Sequence, residues 1–92
     1  MRFAVMTLWK HVDEHDWEEA QKSLDATDGV AGSTVTWFEV DENTQGSLFV
    51  LPSKEAYDEI LESLTQMRQG ALDEGSVLQV EAIGPVMAYR EW

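Results

Sequence analysis

The stretch RFAVMTLWKH, residues 2–11, decides how this sequence can fold. From Phe3 to Trp9 every residue except Thr7 is apolar, so both alternating sets of side chains are apolar. A strand with one face in water alternates between apolar and polar residues, because successive side chains point to opposite faces of a sheet. Residues 2–12 are therefore predicted to form a strand that is buried on both faces.

An acidic helix is predicted directly after this strand. Asp13 is expected to be its N-cap, since acidic residues fill the first turn that follows, and Gly29 is expected to end it. One face of the helix carries the apolar spacing i, i+3, i+4, i+7 and consists of Trp17, Ala20, Gln21 and Leu24.

Residues 32–52 predict two strands joined by a polar turn between Asp41 and Gly46. The turn begins like a calcium-binding loop. Its twelfth position is Pro52, however, where such a loop needs a bidentate glutamate, and strands rather than helices flank it. A hairpin turn is therefore predicted.

The remaining sequence predicts a second helix and a fourth strand. Ser53 is expected to cap the helix, and Gly70 is favoured over Gly75 as its end. The last segment predicts a strand with a bulge or break at Gly84-Pro85, because proline cannot donate to a strand ladder.

The predicted element order β-α-β-β-α-β indicates the α+β class. Two crossover helices, one in each half, are typical of the ferredoxin-like fold, in which a four-stranded antiparallel sheet carries both helices on one face. The length of 92 residues predicts one domain spanning residues 1–92.

The doubly apolar strands predict a partner for the second face of the sheet. Two helices cover one face only, and the other would carry about eight large apolar side chains, each worth about 1.5–3 kcal/mol when buried. A second copy of the chain, sheet against sheet in a two-fold homodimer, would bury them. The alternative is a monomer with a partly apolar open face.

The composition excludes several classes of site. Eighteen acidic against six basic residues give a net charge of −12, which disfavours binding to nucleic acid and to anionic membrane surfaces. There is no cysteine, so disulfides, thiolate catalysis and iron–sulfur clusters are excluded. No apolar run approaches the length of a membrane span, and a cytoplasmic location is expected.

The element order, the two-sided strands and the final segment AIGPVMAYREW (82–92) resemble the dimeric α+β barrel superfamily, which includes antibiotic-biosynthesis-type monooxygenases. The resemblance implies a cleft between sheet and helices for small aromatic or apolar molecules, with cofactor-independent monooxygenase-like or isomerase-like chemistry. Oxygenases of this group often use asparagine, whereas Asn43 of this chain lies in the predicted turn. Haem-degrading relatives use a helix histidine, which residues 54–69 lack, so no cofactor is expected.

Candidate site residues are few. His11 follows Trp9 on the same strand face and is the candidate catalytic residue, because histidine is a common acid–base group; the alternative is a histidine solvated at a strand end. The second hypothesis is a pocket lined by aromatic side chains, in which His11 or Arg90 binds the polar end of a planar ligand. The alternative is that the aromatic side chains pack in the core or in a dimer interface. The candidate ligand-binding residues are Trp9, Trp37, Tyr57, Tyr89 and Arg90.

A metal site is not expected. His15 and Glu19 have i, i+4 spacing on the first helix, but two ligands do not close a site. Two functions therefore stay open: a small-molecule protein with an aromatic cleft, and a non-catalytic binding or assembly protein whose aromatic residues are all packing.

Overall fold

The computed structural model describes all 92 residues and has the predicted ferredoxin-like α+β fold. Its four strands form one antiparallel sheet in the order β2-β3-β1-β4, with two connecting helices. The elements are β1 Phe3–Lys10, α1 Trp17–Ala26, β2 Thr34–Glu39, β3 Thr44–Leu51, α2 Lys54–Asp73 and β4 Val77–Pro85.

β1 lies in the interior of the sheet, between β3 and β4, as its doubly apolar sequence requires. Val5 pairs with Phe49 on one side and with Ile83 on the other, and this set of side chains faces the helices. The opposite face, called the open face below, has no helix on it. It consists of Ala4, Met6, Leu8, Lys10, Thr34, Thr36, Phe38, Thr44, Gly46, Leu48, Val50, Val77, Val80, Ala82 and Gly84.

The core lies between the helix-side face of the sheet and α2. Leu51 is fully buried there, and Phe3, Val5 and Tyr57 are at least nine-tenths buried around it. The rings of Phe3 and Tyr57 lie 5.1 Å apart, centroid to centroid. One end of the sheet is thus closed by aromatic and aliphatic packing against the first half of α2.

α1 begins three residues later than predicted. Asp16, not Asp13, is its N-cap, because the Asp16 carboxylate accepts a hydrogen bond from the backbone N–H of Glu19 at 3.1 Å. The chain cannot turn into a helix earlier, since the backbone N–H groups of His11 and His15 still donate to carbonyls of the β2–β3 turn, at 2.8 and 3.2 Å. The helix ends at Ala26 rather than Gly29.

The predicted apolar face of α1 turns toward the sheet without packing closely on it. No residue of this helix is buried. A gap of about 240 Å³ separates it from β2, and α1 is consequently the less firmly held of the two helices. The side chains around the gap include Trp17, Ala20, Gln21, Leu24, Val35 and Trp37.

α2 begins as predicted and ends later than predicted. Ser53 caps it, but the helix continues through Gly70 to Asp73, and the left-handed conformation falls on Gly75, with φ of 95°. A glycine inside a helix lowers helix stability by only about 1 kcal/mol relative to alanine, so the residues on either side of Gly70 can keep it helical. Neither helix is long and apolar enough to cross a membrane.

The capping hydrogen bond of α2 gives a measurable prediction. The Ser53 hydroxyl accepts from the backbone N–H of Ala56 at 3.1 Å. Ser53→Ala should lower the free energy of unfolding by about 0.5–2 kcal/mol, because that N–H loses its acceptor. Urea denaturation followed by circular dichroism would measure the loss. Ser63→Ala, on the exposed surface of the same helix, should change stability by about 0.5 kcal/mol or less; an equal loss in both variants would contradict the capping role.

The β2–β3 connection is a hairpin turn, as predicted, but it is shorter than predicted, because β3 already begins at Thr44 rather than after Gly46. The Asp41 carboxylate accepts backbone N–H bonds from Asn43 at 3.0 Å and Thr44 at 2.7 Å. The first of these is the largest cause that holds the pKa of Asp41 below its ordinary value. The carboxylate is therefore a structural part of the turn.

β4 ends at Pro85, which confirms the predicted break at Gly84-Pro85. A register shift lies further back, where Leu8 pairs with Val80 but Trp9 pairs with Leu78, so that Gln79 is the extra residue of a bulge. No glycine or proline marks that position in the sequence.

Candidate functional site

A cleft of about 200 Å³ lies between the helix-side face of the sheet and the second half of α2. Residues of strands β1, β2 and β3 form its floor. Four residues on one face of α2 form its wall. The lining residues are Val5, Thr7, Trp9, His11, Trp37, Gln45, Ser47, Phe49, Leu64, Met67, Arg68 and Ala71.

The cleft exists because small residues meet at its centre. Thr7 and Ser47 are cross-strand partners on β1 and β3, and Ala71 lines the cleft from α2. Large side chains at these positions would fill the space, as Phe3 and Tyr57 do at the other end of the sheet. The small side chains therefore leave an aromatic-walled space next to a well-packed core.

His11 lies at the mouth of the cleft and is held at both ring nitrogens. Its Nε2–H donates to Gln45 Oε1 at 2.8 Å, and its Nδ1 accepts from the hydroxyl of the buried Ser76 at 2.8 Å. Neither partner is a carboxylate. The arrangement fixes the imidazole and the Gln45 side chain relative to each other, and it leaves no free ring nitrogen to act as a base.

A second, polar cavity of about 550 Å³ adjoins the first and shares His11 and Gln45 with it. Acidic side chains from the α1 N-terminus and from Glu74 line it. His15 there uses Nε2 to donate to the backbone carbonyls of Asp41 and Thr44, both at 3.1 Å. No group of three or more His, Asp or Glu side chains is placed to hold a metal ion.

Three of the predicted site residues come together in the cleft. Trp9 on β1 and Trp37 on β2 both line it from the sheet, with β3 between their strands, and His11 also belongs to the lining. Trp9 is about nine-tenths buried, whereas Trp37 lies on the edge strand β2 and is partly open to solvent.

The other three predicted residues lie elsewhere. Tyr57 is part of the core. Tyr89 lies in the C-terminal segment, with the guanidinium carbon of Arg2 4.1 Å from its ring centroid. Arg90 lies over the ring of Trp92, at 4.9 Å, in the same segment. None of the three lines the cleft.

Sequence reasoning missed the basic residue that does line it, Arg68. A signal was present, because Arg68 follows Leu64 by four residues on the apolar face of α2. An arginine at an apolar stripe position has its guanidinium beside the core rather than in open water. Glu81, which faces the helices from β4, forms an ion pair with it.

No family model matches the chain, and neither curated proteins nor solved structures provide a match. The ferredoxin-like fold is therefore established by the strand order and the element order of the chain itself. Membership of the dimeric α+β barrel superfamily stays a prediction.

Proposed function

We propose that this protein binds a small single-ring aromatic molecule in the cleft between the sheet and α2. The observation that carries the proposal is a space of about 200 Å³ lined by Trp9, Trp37 and Phe49. An apolar cavity of about 150 Å³ is enough to hold benzene. The cleft therefore suits one ring with a small substituent.

The polar side chains of the lining support a bound ligand rather than a plain packing defect. Seven of the twelve lining residues are hydrophobic, and the other five are Thr7, His11, Gln45, Ser47 and Arg68. A few convergent polar groups in an apolar pocket are typical of small-molecule sites, where they set the orientation of the ligand.

The geometry favours binding over catalysis. Both ring nitrogens of His11 are engaged by neutral side chains, so a proton transfer at Nε2 would first require Gln45 to move away. Monooxygenase-like or isomerase-like chemistry rests on the resemblance alone, which is a weak basis for function. We therefore propose a ligand and no specific reaction.

Filling the cleft should abolish binding. Ala71→Phe places a ring in the space from the α2 side, and calorimetric titration with benzamide, phenol and toluene should show at least about a tenfold loss of affinity, or about 1.4 kcal/mol. Gln66→Phe adds the same ring on the exposed side of α2 and should bind as the wild type does. Equal affinities in all three proteins, or no binding of any single-ring compound by the wild type at millimolar concentration, would refute the proposal.

We further infer that a second copy of the chain covers the open face, which favours an assembly role in addition to binding. Lys10 is the only charged residue on that face, in a chain with 24 charged residues, the sum of 18 acidic and six basic. Phe38, Leu48 and Val80 are 47%, 40% and 40% exposed there. Contiguous apolar surface of this kind is uncommon in a monomer.

A further inference from the structure

The cleft has the opposite charge character to the rest of the molecule. The chain has 18 acidic residues and six basic ones. No aspartate or glutamate belongs to the lining of the cleft, whereas Arg68 does. The protein has a net charge of −12, so a cationic group in the lining of an aromatic cleft is exceptional. It indicates that the ligand carries a negative charge.

Arg68 is shielded but still has donors to offer. Its side chain is 20% exposed, and its Nη1 forms an ion pair with Glu81 Oε2. A guanidinium has five N–H donors in a planar fork, and this ion pair uses one nitrogen. The Glu81 side chain is 34% exposed, so it has solvent available if another anion takes its place.

We propose that Arg68 makes the cleft selective for single-ring aromatic carboxylates. This inference rests on the proposed binding function. The ring lies in the cleft that Trp9 and Trp37 line from the sheet, and the carboxylate receives two parallel N–H bonds from the guanidinium, which is the geometry that arginine and carboxylate prefer. Glu81 moves into water as the ligand carboxylate replaces it.

The energetic argument favours this exchange. The Arg68–Glu81 pair engages one guanidinium nitrogen, whereas a bidentate contact to a ligand carboxylate engages two. A ligand carboxylate brings the same charge together with a ring that buries apolar surface in the cleft. A neutral ring would gain the same apolar contact but no bidentate contact with the guanidinium, and a ring that carries an ammonium group would face a like charge.

The test compares isosteric ligands. Calorimetric titration of the wild type with benzoate, benzamide and benzylamine should give the affinity order benzoate, benzamide, benzylamine, with benzoate preferred over benzamide by about tenfold or more. Arg68→Met keeps the apolar stem and should lower the ratio of benzoate affinity to benzamide affinity to one or below, because the Glu81 carboxylate remains and repels benzoate. Glu81→Gln removes the competing anion and should raise this ratio.

The ratio of benzoate affinity to benzamide affinity distinguishes carboxylate selectivity from ring binding alone. Equal binding of benzoate and benzamide by the wild type, or an unchanged preference in Arg68→Met, would overturn the selectivity while leaving ring binding intact. Binding of none of the three ligands would overturn the proposed function and this inference with it. If Arg68→Met does not fold, Arg68→Lys decides: it keeps the charge without the fork, so the preference should fall but stay above one. An unchanged preference there would reject the bidentate contact.

Discussion

Replacing Leu51 with alanine should lower the free energy of unfolding by about 2–5 kcal/mol. Leu51 is the one large side chain with no exposed surface, at the end of β3, where Phe3 of β1 is its cross-strand partner. It joins the sheet to α2 through the core cluster that includes Tyr57. Its truncation would leave a cavity in the best-packed part of the molecule, and a domain of this size has little stability to lose.

Guanidinium denaturation at a fixed protein concentration would measure this loss, since self-association would otherwise shift the midpoint. Leu72→Ala is the matched control, because Leu72 lies on α2 with 46% of its surface exposed. The control should change stability by about 0.5 kcal/mol or less. Similar losses in the two variants would show that the core does not depend on Leu51 in the way that its burial indicates.

The fold could be predicted because the pattern of β1 and the order of strands and helices along the whole chain point to the same arrangement. A strand that is apolar on both faces favours a central position in a layered fold, and the order of strands and helices then leaves few arrangements. The sequence could not show which alternating set faces the helices. Phe3, Val5 and Trp9 do so in the structure, but both sets on β1 are equally apolar.

The helix ends were predicted less well because contacts distant in sequence decide them. The cap of α1 is at Asp16 since the preceding residues pair with the β2–β3 turn, and the sequence around Asp13 contains no sign of that pairing. Glycine is common at helix ends, which is why Gly70 was predicted there. In the structure α2 extends past Gly70, and Gly75 is the residue with a positive φ.

The cleft was predicted in part, for a related reason. Trp9, Trp37 and His11 could be named from strand ends and aromatic content. The space itself arises because Thr7 and Ser47 are paired in register, and register follows from the assembled sheet. Arg68 rather than Arg90 lines the cleft, since the C-terminal segment leads away from it.

Replacing Leu48 with aspartate should convert the proposed homodimer into a monomer. Leu48 pairs with Met6 of β1 and with Thr36 of β2, so it lies in the middle of the open face, and 40% of its surface is exposed. A buried leucine contributes about 1.5–3 kcal/mol, and a two-fold interface contains it twice, so the dissociation constant should rise by about a hundredfold or more. Each introduced carboxylate would also be buried against the other subunit without a cation to pair with.

Sedimentation equilibrium at micromolar concentration would measure this, with a wild-type mass of twice 10.4 kDa and a variant mass of 10.4 kDa. Leu61→Asp adds the same charge at a leucine of equal exposure, 40%, on α2 and should remain dimeric. A dimeric Leu48→Asp would place the interface elsewhere, and a monomeric wild type would mean that the open face stays in water. Because the cleft lies on the other face of the sheet, benzoate affinity should be the same in the monomeric variant as in the wild type. A parallel loss of both properties would instead show that the cleft depends on the second subunit.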